Sequence, residues 1–168
     1  ATSKDDIIIG SDQDNVIEAG SGDDLIRTLA GNDEVFGGLG DDRIVVGAGD
    51  DTLYGDSRHE AGGRDTFVFE GGFGTDTIED FEAAVARPAN YNLADPIWGH
   101  SLGGDRIIVR LDQDDHLEGP IEEPGKIVLR KTRQDGQTHS VLVSNTAGLI
   151  TATTIALVTS EVMAVGDL

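Results

Sequence analysis

Large apolar residues recur at every ninth position in the first half of the chain, and an acidic or amide residue stands two positions before each of them. Counted in nines from Ala1, the eighth position holds Ile8, Ile17, Ile26, Val35, Ile44 and Leu53, followed after short insertions by Phe67 and Ile78. The sixth position holds Asp6, Asn15, Asp24, Asp33, Asp42 and Asp51, followed by Asp65 and Asp76. A disordered acidic segment has no reason to keep apolar residues in register, so this period predicts a stacked repeat structure.

Each nonapeptide is predicted to form a glycine-rich loop of six residues and a strand of three, with one inward apolar side chain in the middle of the strand. Two nonapeptides make one coil, so strands eighteen residues apart stack on each side. The inward side chains then form two columns, Ile8–Ile26–Ile44 and Ile17–Val35–Leu53. Each contributes roughly 2 kcal/mol of apolar burial, which is less than the ordering cost of nine residues at roughly 1–2 kcal/mol each. Further stabilisation must therefore come from the loops.

The charge of the chain is concentrated in the same repeats. Of 168 residues, 32 are acidic and 12 basic, for a net charge of −20, and residues 1–80 alone carry −15 together with 15 of the 23 glycines. This balance disfavours binding to nucleic acids or to anionic lipid surfaces. The chain has no cysteine, which excludes disulfides and thiolate metal sites, and no apolar run long enough to span a bilayer.

The eighteen-residue coil places carboxylates over one another, Asp24 over Asp42 and Asp33 over Asp51. Close carboxylates repel unless a cation lies between them. Oxygen-only ligation by carboxylates and loop carbonyls is what Ca²⁺ prefers, whereas Mg²⁺ demands a tighter octahedron. The loop glycines, such as Gly22, Gly31, Gly40 and Gly49, permit the positive φ that turns carbonyls toward an ion.

These residues resemble the G-G-x-G-x-D-x-U-x nonapeptides of the RTX family, the hemolysin-type calcium-binding repeats of secreted proteins. The resemblance covers about residues 1–80. It implies an all-β fold, a right-handed parallel β-roll followed by a β-rich C-terminal cap. It also implies several Ca²⁺ ions in the loops, an extracellular location and export by type I secretion machinery.

Carried onto this sequence, the resemblance pairs Asp24 with Asp42 and Asp33 with Asp51, and, with the insertions looped out, Asp42 with Asp65 and Asp51 with Asp76. The full predicted set of metal-binding residues is Asn15, Gly20, Gly22, Asp24, Gly31, Asp33, Gly38, Gly40, Asp42, Gly47, Gly49, Asp51, Gly63, Asp65 and Asp76. Several positions depart from the pattern. Asn15 offers only a neutral amide oxygen, Lys4 and Gln13 replace a loop glycine, and Thr28-Leu29 replaces the leading glycine pair. Sites at the N-terminal edge are therefore expected to be weak or empty.

The periodicity fades after Phe69, and residues 81–168 are interpreted as the cap, with residues 1–80 as the roll. Segments 65–69, 76–81 and 105–107 resemble the stretches that close the roll in the family. Residues 126–133 and 138–144 flank Asp135-Gly136, which predicts a β-hairpin, and residues 151–158 could complete the sheet. The last residues, 160–168, are compatible with an export signal.

Other motifs favour structural roles. The pentapeptide 99–103 fits the G-x-S-x-G nucleophile elbow, but Asp95-Pro96 precedes it and a strand-like run, 106–109, follows, so a glycine-rich turn is the better interpretation. His59-Glu60 lacks the second histidine of a zinc protease motif. His100, His116 and His139 are predicted to be solvated, and Asp112, Asp114 and Asp115 to form a charged turn. Tyr91 and Trp98 could stack on a sugar, although packing is the expected role.

The sequence therefore predicts a non-catalytic, calcium-binding module that folds on binding calcium outside the cell and serves the folding and secretion of a larger protein. Two alternatives stay open. One is a calcium-dependent adhesin or polysaccharide-binding module that uses the 82–104 segment. The other is an accessory C-terminal part of a secreted epimerase, protease or lipase.

Overall fold

The computed structural model describes residues 3–56, 63–81, 104–111, 115–144 and 159–162. Every regular element within these ranges is a β-strand, and the strands form two sheets. None of the described residues forms a helix of the length and apolar character needed to cross a bilayer. The predicted all-β fold is confirmed.

The first sheet, sheet A, contains six strands that are mutually parallel. In spatial order they are β1 (Ile7–Ile9), β3 (Leu25–Arg27), β5 (Arg43–Val46), β7 (Thr66–Phe69), β9 (Arg106–Leu111) and β13 (Thr159–Val162).

The second sheet, sheet B, contains four parallel strands extended by a three-stranded antiparallel meander. The parallel strands are β2 (Val16–Ser21), β4 (Glu34–Leu39), β6 (Thr52–Asp56) and β8 (Thr75–Ile78). The meander is β12 (Thr138–Ser144), β11 (Lys126–Arg133) and β10 (Asp115–Glu123), and β12 pairs in parallel with β8. Strands alternate between the sheets through β8, as a coil of two nonapeptides requires.

Strand registers confirm the predicted apolar columns. Ile8, Ile26 and Ile44 are register partners in sheet A, and Ile17, Val35 and Leu53 are register partners in sheet B. The first column continues through Phe67 and Ile107, and the second through Ile78 and Val143. The insertions at 57–62 and before Gly104 therefore leave the register of the flanking strands unbroken.

The core is thicker than one inward side chain per repeat. Ala19, Val46, Phe69 and Val109 are also fully buried in the main core, and so is the side chain of Thr28. Ala19, Thr28 and Val46 occupy the first position of a nonapeptide, which lies within β2 and β5 and directly follows the end of β3. The prediction of a single inward position was incomplete because β2, β4, β5 and β6 are longer than three residues.

The predicted hairpin is confirmed, with β11 and β12 joined by a turn in which the amide of Gly136 donates to the carbonyl of Arg133. Two other predictions for this half were wrong. Asp115 lies at the start of β10 with a buried side chain rather than in a charged turn, and His139 packs against Phe73 with a buried Nε2. His116 is exposed, as predicted. The hydrolase-like pentapeptide, His59, His100, Tyr91, Trp98, residues 112–114 and residues 151–158 lie outside the described residues.

Candidate metal centre

Carboxylates form a continuous buried column at the turns that enter sheet A. The amide of Asp24 donates to Oδ1 of Asp42 at 2.8 Å, and the amide of Asp42 donates to Oδ1 of Asp65 at 2.9 Å. One coil further, the amide of Asp65 donates to Oδ1 of Asp105 at 2.9 Å. Each aspartate in this column thus holds the backbone of the preceding coil.

A second column lies at the turns that enter sheet B. Here the amide of Asn15 donates to Oδ1 of Asp33 at 2.8 Å. In the same way, the amide of Asp33 donates to Oδ1 of Asp51 at 2.8 Å, and the amide of Asp51 donates to Oδ1 of Asp76 at 2.9 Å. All four predicted aspartate pairs are therefore brought together, including the two that span insertions. The sequence prediction missed Asp105, which extends the first column across forty residues of intervening chain.

The second carboxylate oxygens of these columns are buried and unpaired. Among the described residues, Oδ2 has no hydrogen-bond partner in Asp24, Asp33, Asp42, Asp51 and Asp76. Each of these residues is at most 2% exposed. A buried carboxylate oxygen without a donor carries an unrelieved desolvation cost. These five atoms occupy the same position in five of the six repeats from Asp24 to Asp76, and a cation beside them would offset this cost.

The surroundings of Asp42 fit a hard cation. A Cβ added at Gly37 would lie 2.5 Å from Oδ2 of Asp42 and would also collide with the carbonyl oxygen of Gly55, one coil later. A carboxylate oxygen and a carbonyl oxygen thus face the bare side of a glycine. Oxygen donors of this mixed kind suit Ca²⁺.

Asn15 occupies the equivalent place in the first coil of the other column. A Cβ at Gly10 would lie 2.9 Å from Oδ1 of Asn15 and 2.5 Å from the carbonyl oxygen of Thr28. The same Oδ1 accepts a hydrogen bond from the amide of Ser11 at 2.7 Å. Asn15 therefore presents an oxygen at this position, but one that is neutral and already hydrogen-bonded.

Backbone carbonyls must supply much of any ligand set. Within the described ranges, no three His, Asp or Glu side chains converge as a metal-binding group. Most of the predicted loop glycines have a positive φ of 111–145°, which side-chain-bearing residues avoid, namely Gly20, Gly22, Gly31, Gly38, Gly40, Gly49 and Gly63. Added Cβ atoms at Gly38, Gly40, Gly49 and Gly63 would collide with a glycine carbonyl of the preceding coil. The glycines thus allow the coils to stack in contact.

The atypical loop that begins at Thr28 keeps the same stacking by other means. Leu29 adopts a φ of 75°, the one positive value at a non-glycine residue in the described chain. The hydroxyl of Thr28 accepts a hydrogen bond from the amide of Gly47 at 2.9 Å. Gly47, another predicted site residue, does not have a positive φ, and its missing Cβ makes room for the Leu29 carbonyl.

Burial makes the column carboxylates poor acids. Desolvation is the main cause in every case, and it raises the pKa of Asp51 to about 6, of Asp42 to about 7, of Asp76 to about 8 and of Asp65 to about 9. The charge of Asp105 adds to the rise at Asp65. The pKa values of Asp24 and Asp33 are raised for the same reason. Without a cation, these groups must be protonated or bear the cost of buried charge.

Beside each column, exposed residues at the fifth position of the repeat form a ladder of hydrogen bonds. In this ladder each amide donates to a side chain of the preceding coil, which is the opposite direction to the bonds of the column. The amide of Asp41 donates back to Oδ1 of Asp23 at 2.9 Å, and the amide of Asp50 donates back to Oδ1 of Asn32 at 2.9 Å. Arg64 continues the first of these ladders and also pairs with Asp41 through its guanidinium at 2.8 Å. No role was predicted for this position from the sequence.

Nonapeptide coils that stack in register, with buried columns of aspartates that use one carboxylate oxygen for hydrogen bonding, define a β-roll of the calcium-binding type. The family model of the RTX calcium-binding nonapeptide repeat (4 copies) matches residues 1–35 and 27–57. Residues 1–57 are therefore RTX calcium-binding repeats, and the resemblance found in the sequence is confirmed. The matched segment is about a third of the chain.

One solved structure extends the likeness of fold beyond this segment. The solution structure of the AlgE6R2 subunit of the Azotobacter vinelandii mannuronan C5-epimerase aligns with a TM-score of 0.52 and 21% identity, over 92% of each chain. The AlgE6R3 subunit of the same enzyme aligns with a TM-score of 0.30 and 20% identity, over 100% of this chain and 87% of the other. No curated protein sequence matches this chain significantly. The first alignment confirms a β-roll with further β-structure after it.

Proposed function

We propose that this chain is a calcium-responsive folding module of a larger secreted protein. The observation that carries the proposal is the set of buried, unpaired Oδ2 atoms on stacked aspartates. The residues that would hold the ions are the pairs Asp24–Asp42, Asp33–Asp51, Asp42–Asp65 and Asp51–Asp76, together with carbonyls of the adjoining glycine loops. A bound Ca²⁺ would supply positive charge between carboxylates that otherwise repel.

Metal binding at such sites is folding free energy, because the ligands converge only in the folded coil. In low calcium, the raised pKa values of the columns mean that near neutral pH the folded chain must either take up protons or bear a cost of buried charge. Extracellular calcium modules bind at about 10⁻⁴–10⁻³ M, so the chain would stay unfolded where calcium is scarce and fold where it is abundant. That behaviour suits a protein exported before it folds.

Circular dichroism during calcium titration, after treatment with a chelator, tests the proposal. The β-sheet signal should appear over the same calcium range in which isothermal titration calorimetry detects binding. Mg²⁺ at equal concentration is the matched control and should give a much smaller signal, because it retains its waters. A β-sheet signal that persists unchanged in the chelator would show that the roll does not depend on the ion.

The export route, the extracellular location and the role within a parent protein belong to the same proposal. They are supported by the RTX repeats of residues 1–57, which typify secreted proteins. We infer that the chain itself is not catalytic and that it assists the folding of a partner region. The division into a roll over residues 1–80 and a cap over residues 81–168 also stays a prediction, and both sheets continue across that boundary.

A second candidate function, the binding of an anionic polysaccharide, is favoured by a basic surface on the outside of sheet A. Ile26, Ile44, Ile107 and Val109 point into the core, so their alternating neighbours face outward. Those outward neighbours include four arginines in a chain of net charge −20, namely Arg27, Arg43, Arg106 and Arg110. The arginines share this face with a small buried apolar cluster of Val45, Val68 and Ile108. Glu70 contacts Arg27 and Arg110, at 3.7 and 2.6 Å. The solved structure with a similar fold belongs to a mannuronan C5-epimerase, which is consistent with a polysaccharide nearby.

Affinity electrophoresis in gels containing a polyuronate, with calcium present, tests this second function. The double variant Arg43→Gln/Arg106→Gln should migrate with less retardation than the parent chain. Arg64→Gln is the matched control, because it removes the same kind of charge from a turn rather than from the face of sheet A. Equal retardation of all three proteins, or equal retardation in a neutral dextran gel, would count against the arginine surface.

A further inference from the structure

A buried lysine joins the hairpin to the end of the roll. The side chains of Lys131 and Asp115 are 2% and 0% exposed, and Nζ lies 2.9 Å from Oδ2 of Asp115. The same Nζ donates to the carbonyls of Gly71 and Arg110, at 2.9 and 3.1 Å. The three donor hydrogens of the ammonium are thus matched by three acceptors, from β10, the β7–β8 loop and β9.

His139 lies directly opposite Lys131 across the β11–β12 pair. Its ring packs on Phe73, with centroids 5.3 Å apart, and the Nζ of Lys131 lies 5.5 Å from the centroid of the same Phe73 ring. Nε2 of His139 is buried and has no hydrogen-bond partner among the described residues. We refer to Phe73, Lys131 and His139 as the junction cluster.

Protonation of His139 would place two cations at directly opposed positions of an antiparallel pair, which is destabilising. It would also add a buried N–H without an acceptor. Asp115 is the nearby carboxylate that could offset this charge, but its oxygens already face Lys131 at 2.9 Å and Nε of Arg133 at 3.7 Å. Asp135, in the hairpin turn, also acts favourably on the charged imidazole. Burial, followed by the charge of Lys131, nevertheless lowers the pKa of His139 below 6.5.

We propose that the junction cluster is an acid-sensitive latch, which loosens the β11–β12 hairpin from the roll when His139 takes up a proton. The hairpin is held to the roll by four apolar side chains buried in the main core, by the parallel pairing of β12 with β8, by the bond from the Ser140 amide to the Gly74 carbonyl and by Lys131. The four apolar residues are Ile127, Leu129, Val141 and Val143. Loosening it would uncover the β8 edge of sheet B while the repeats of residues 25–56 stay stacked. The device would operate in mildly acidic surroundings, and it would adjoin the end of the second aspartate column, because Asp76 lies in β8 opposite Val141.

Two NMR measurements on the ¹⁵N-labelled full chain in saturating calcium test the latch. Titration of the His139 ring protons should give a pKa below 6.5. Amide exchange, corrected for intrinsic rates, should be faster at pH 5 than at pH 7 for residues 126–144 and unchanged for residues 25–56. His139→Phe, which keeps an aromatic ring against Phe73, and His139→Gln should both lose this dependence on pH.

Several results would overturn the proposal. The first is a His139 pKa at or above 6.5. The second is amide exchange at pH 5 that is equally fast in the hairpin and the repeats, or that does not differ between pH 5 and pH 7 in the hairpin. The third is the same pH dependence of exchange in both variants as in the unmodified chain. If neither variant folds, the ring titration and the exchange pattern of the unmodified chain still decide the matter.

Discussion

Replacing Asp42 with asparagine should act in opposite directions with and without calcium. Asp42 lies in the middle of the first column, with its Oδ1 holding the amide of Asp24 and its Oδ2 unpaired. The amide oxygen of the introduced asparagine could still accept the Asp24 amide, so the coil geometry is kept. The negative charge, and one oxygen that faces the proposed ion, are lost.

The magnitude without calcium follows from the pKa of the group. Burial raises the pKa of Asp42 from 3.8 to about 7, which corresponds to ~4 kcal/mol of unfavourable ionisation in the folded chain near pH 7. Asparagine bears no such charge, so the calcium-free fold of Asp42→Asn should gain up to ~4 kcal/mol relative to the parent. In calcium, the variant should instead be the less stable protein, because two of the proposed ion sites, Asp24–Asp42 and Asp42–Asp65, share this carboxylate.

The assay is urea denaturation followed by circular dichroism, once in chelator and once in saturating calcium, together with calorimetric titration of calcium. The matched control is Asp23→Asn, an exposed fifth-position residue whose counterpart in the other ladder is already Asn32. The control should bind nearly as much calcium as the parent. The reasoning is refuted if Asp42→Asn binds calcium like the parent, or if it is no more stable than the parent in chelator.

Three further predictions follow from the same geometry. In chelator, the fold should gain stability on acidification, because each carboxyl with a raised pKa binds its proton more tightly in the folded chain than in the unfolded chain, where its pKa is 3.8. The stabilisation is complete below pH 3.8 and is lost as the pH rises through the folded pKa values, which are about 6, 7, 8 and 9 for Asp51, Asp42, Asp76 and Asp65. A pH titration by circular dichroism in which acid only unfolds the chain would contradict this. Asn15→Asp should tighten calcium binding beside Asp33 about tenfold, on the scale by which ligand charge tunes such sites. Asn32→Asp, which adds the same charge at an exposed position, should not tighten it. Equal calcium dissociation constants for the two variants, measured by calorimetry, would contradict the prediction. Gly47→Ala should lower the free energy of unfolding, measured by urea denaturation, by more than ~3 kcal/mol, because the new Cβ would collide with a carbonyl of the preceding coil. Gly72→Ala, whose Cβ would meet nothing closer than 3.7 Å, should lower it by under about 1 kcal/mol. Similar losses in the two variants would argue against close stacking of the coils.

The roll was predictable because its period fixes both the core and the columns. A strand of this kind has one buried face, so an eighth-position aliphatic such as Ile44 determines the register of its whole repeat. Once Phe67 and Ile78 are assigned to the same position, the partners of Asp42 and Asp51 across the insertions follow directly. Both pairings were predicted, and hydrogen bonds join both pairs in the structure.

The features that sequence reasoning missed depend on contacts without a period. Asp105 joins the first column only because β9 pairs with β7, and no repeat precedes it to mark its position. Lys131, Asp115 and His139 are polar residues in strands with ordinary alternation, and their side chains come together where four strands and a loop meet. One signal that could have found the cluster was the polar Lys131 among the apolar positions of β11, whose inward neighbours are Ile127 and Leu129.

The central claim is that cations lie between stacked aspartates, and a crystal structure determined in saturating calcium, with anomalous scattering to locate the ions, tests it most directly. Anomalous peaks are predicted between successive coils, with the Oδ2 atoms of Asp33, Asp42 and Asp51 at about 2.3–2.6 Å from an ion. Well-ordered carboxylates with no peak beside them, their Oδ2 atoms bonded to water or to protein donors instead, would contradict the claim.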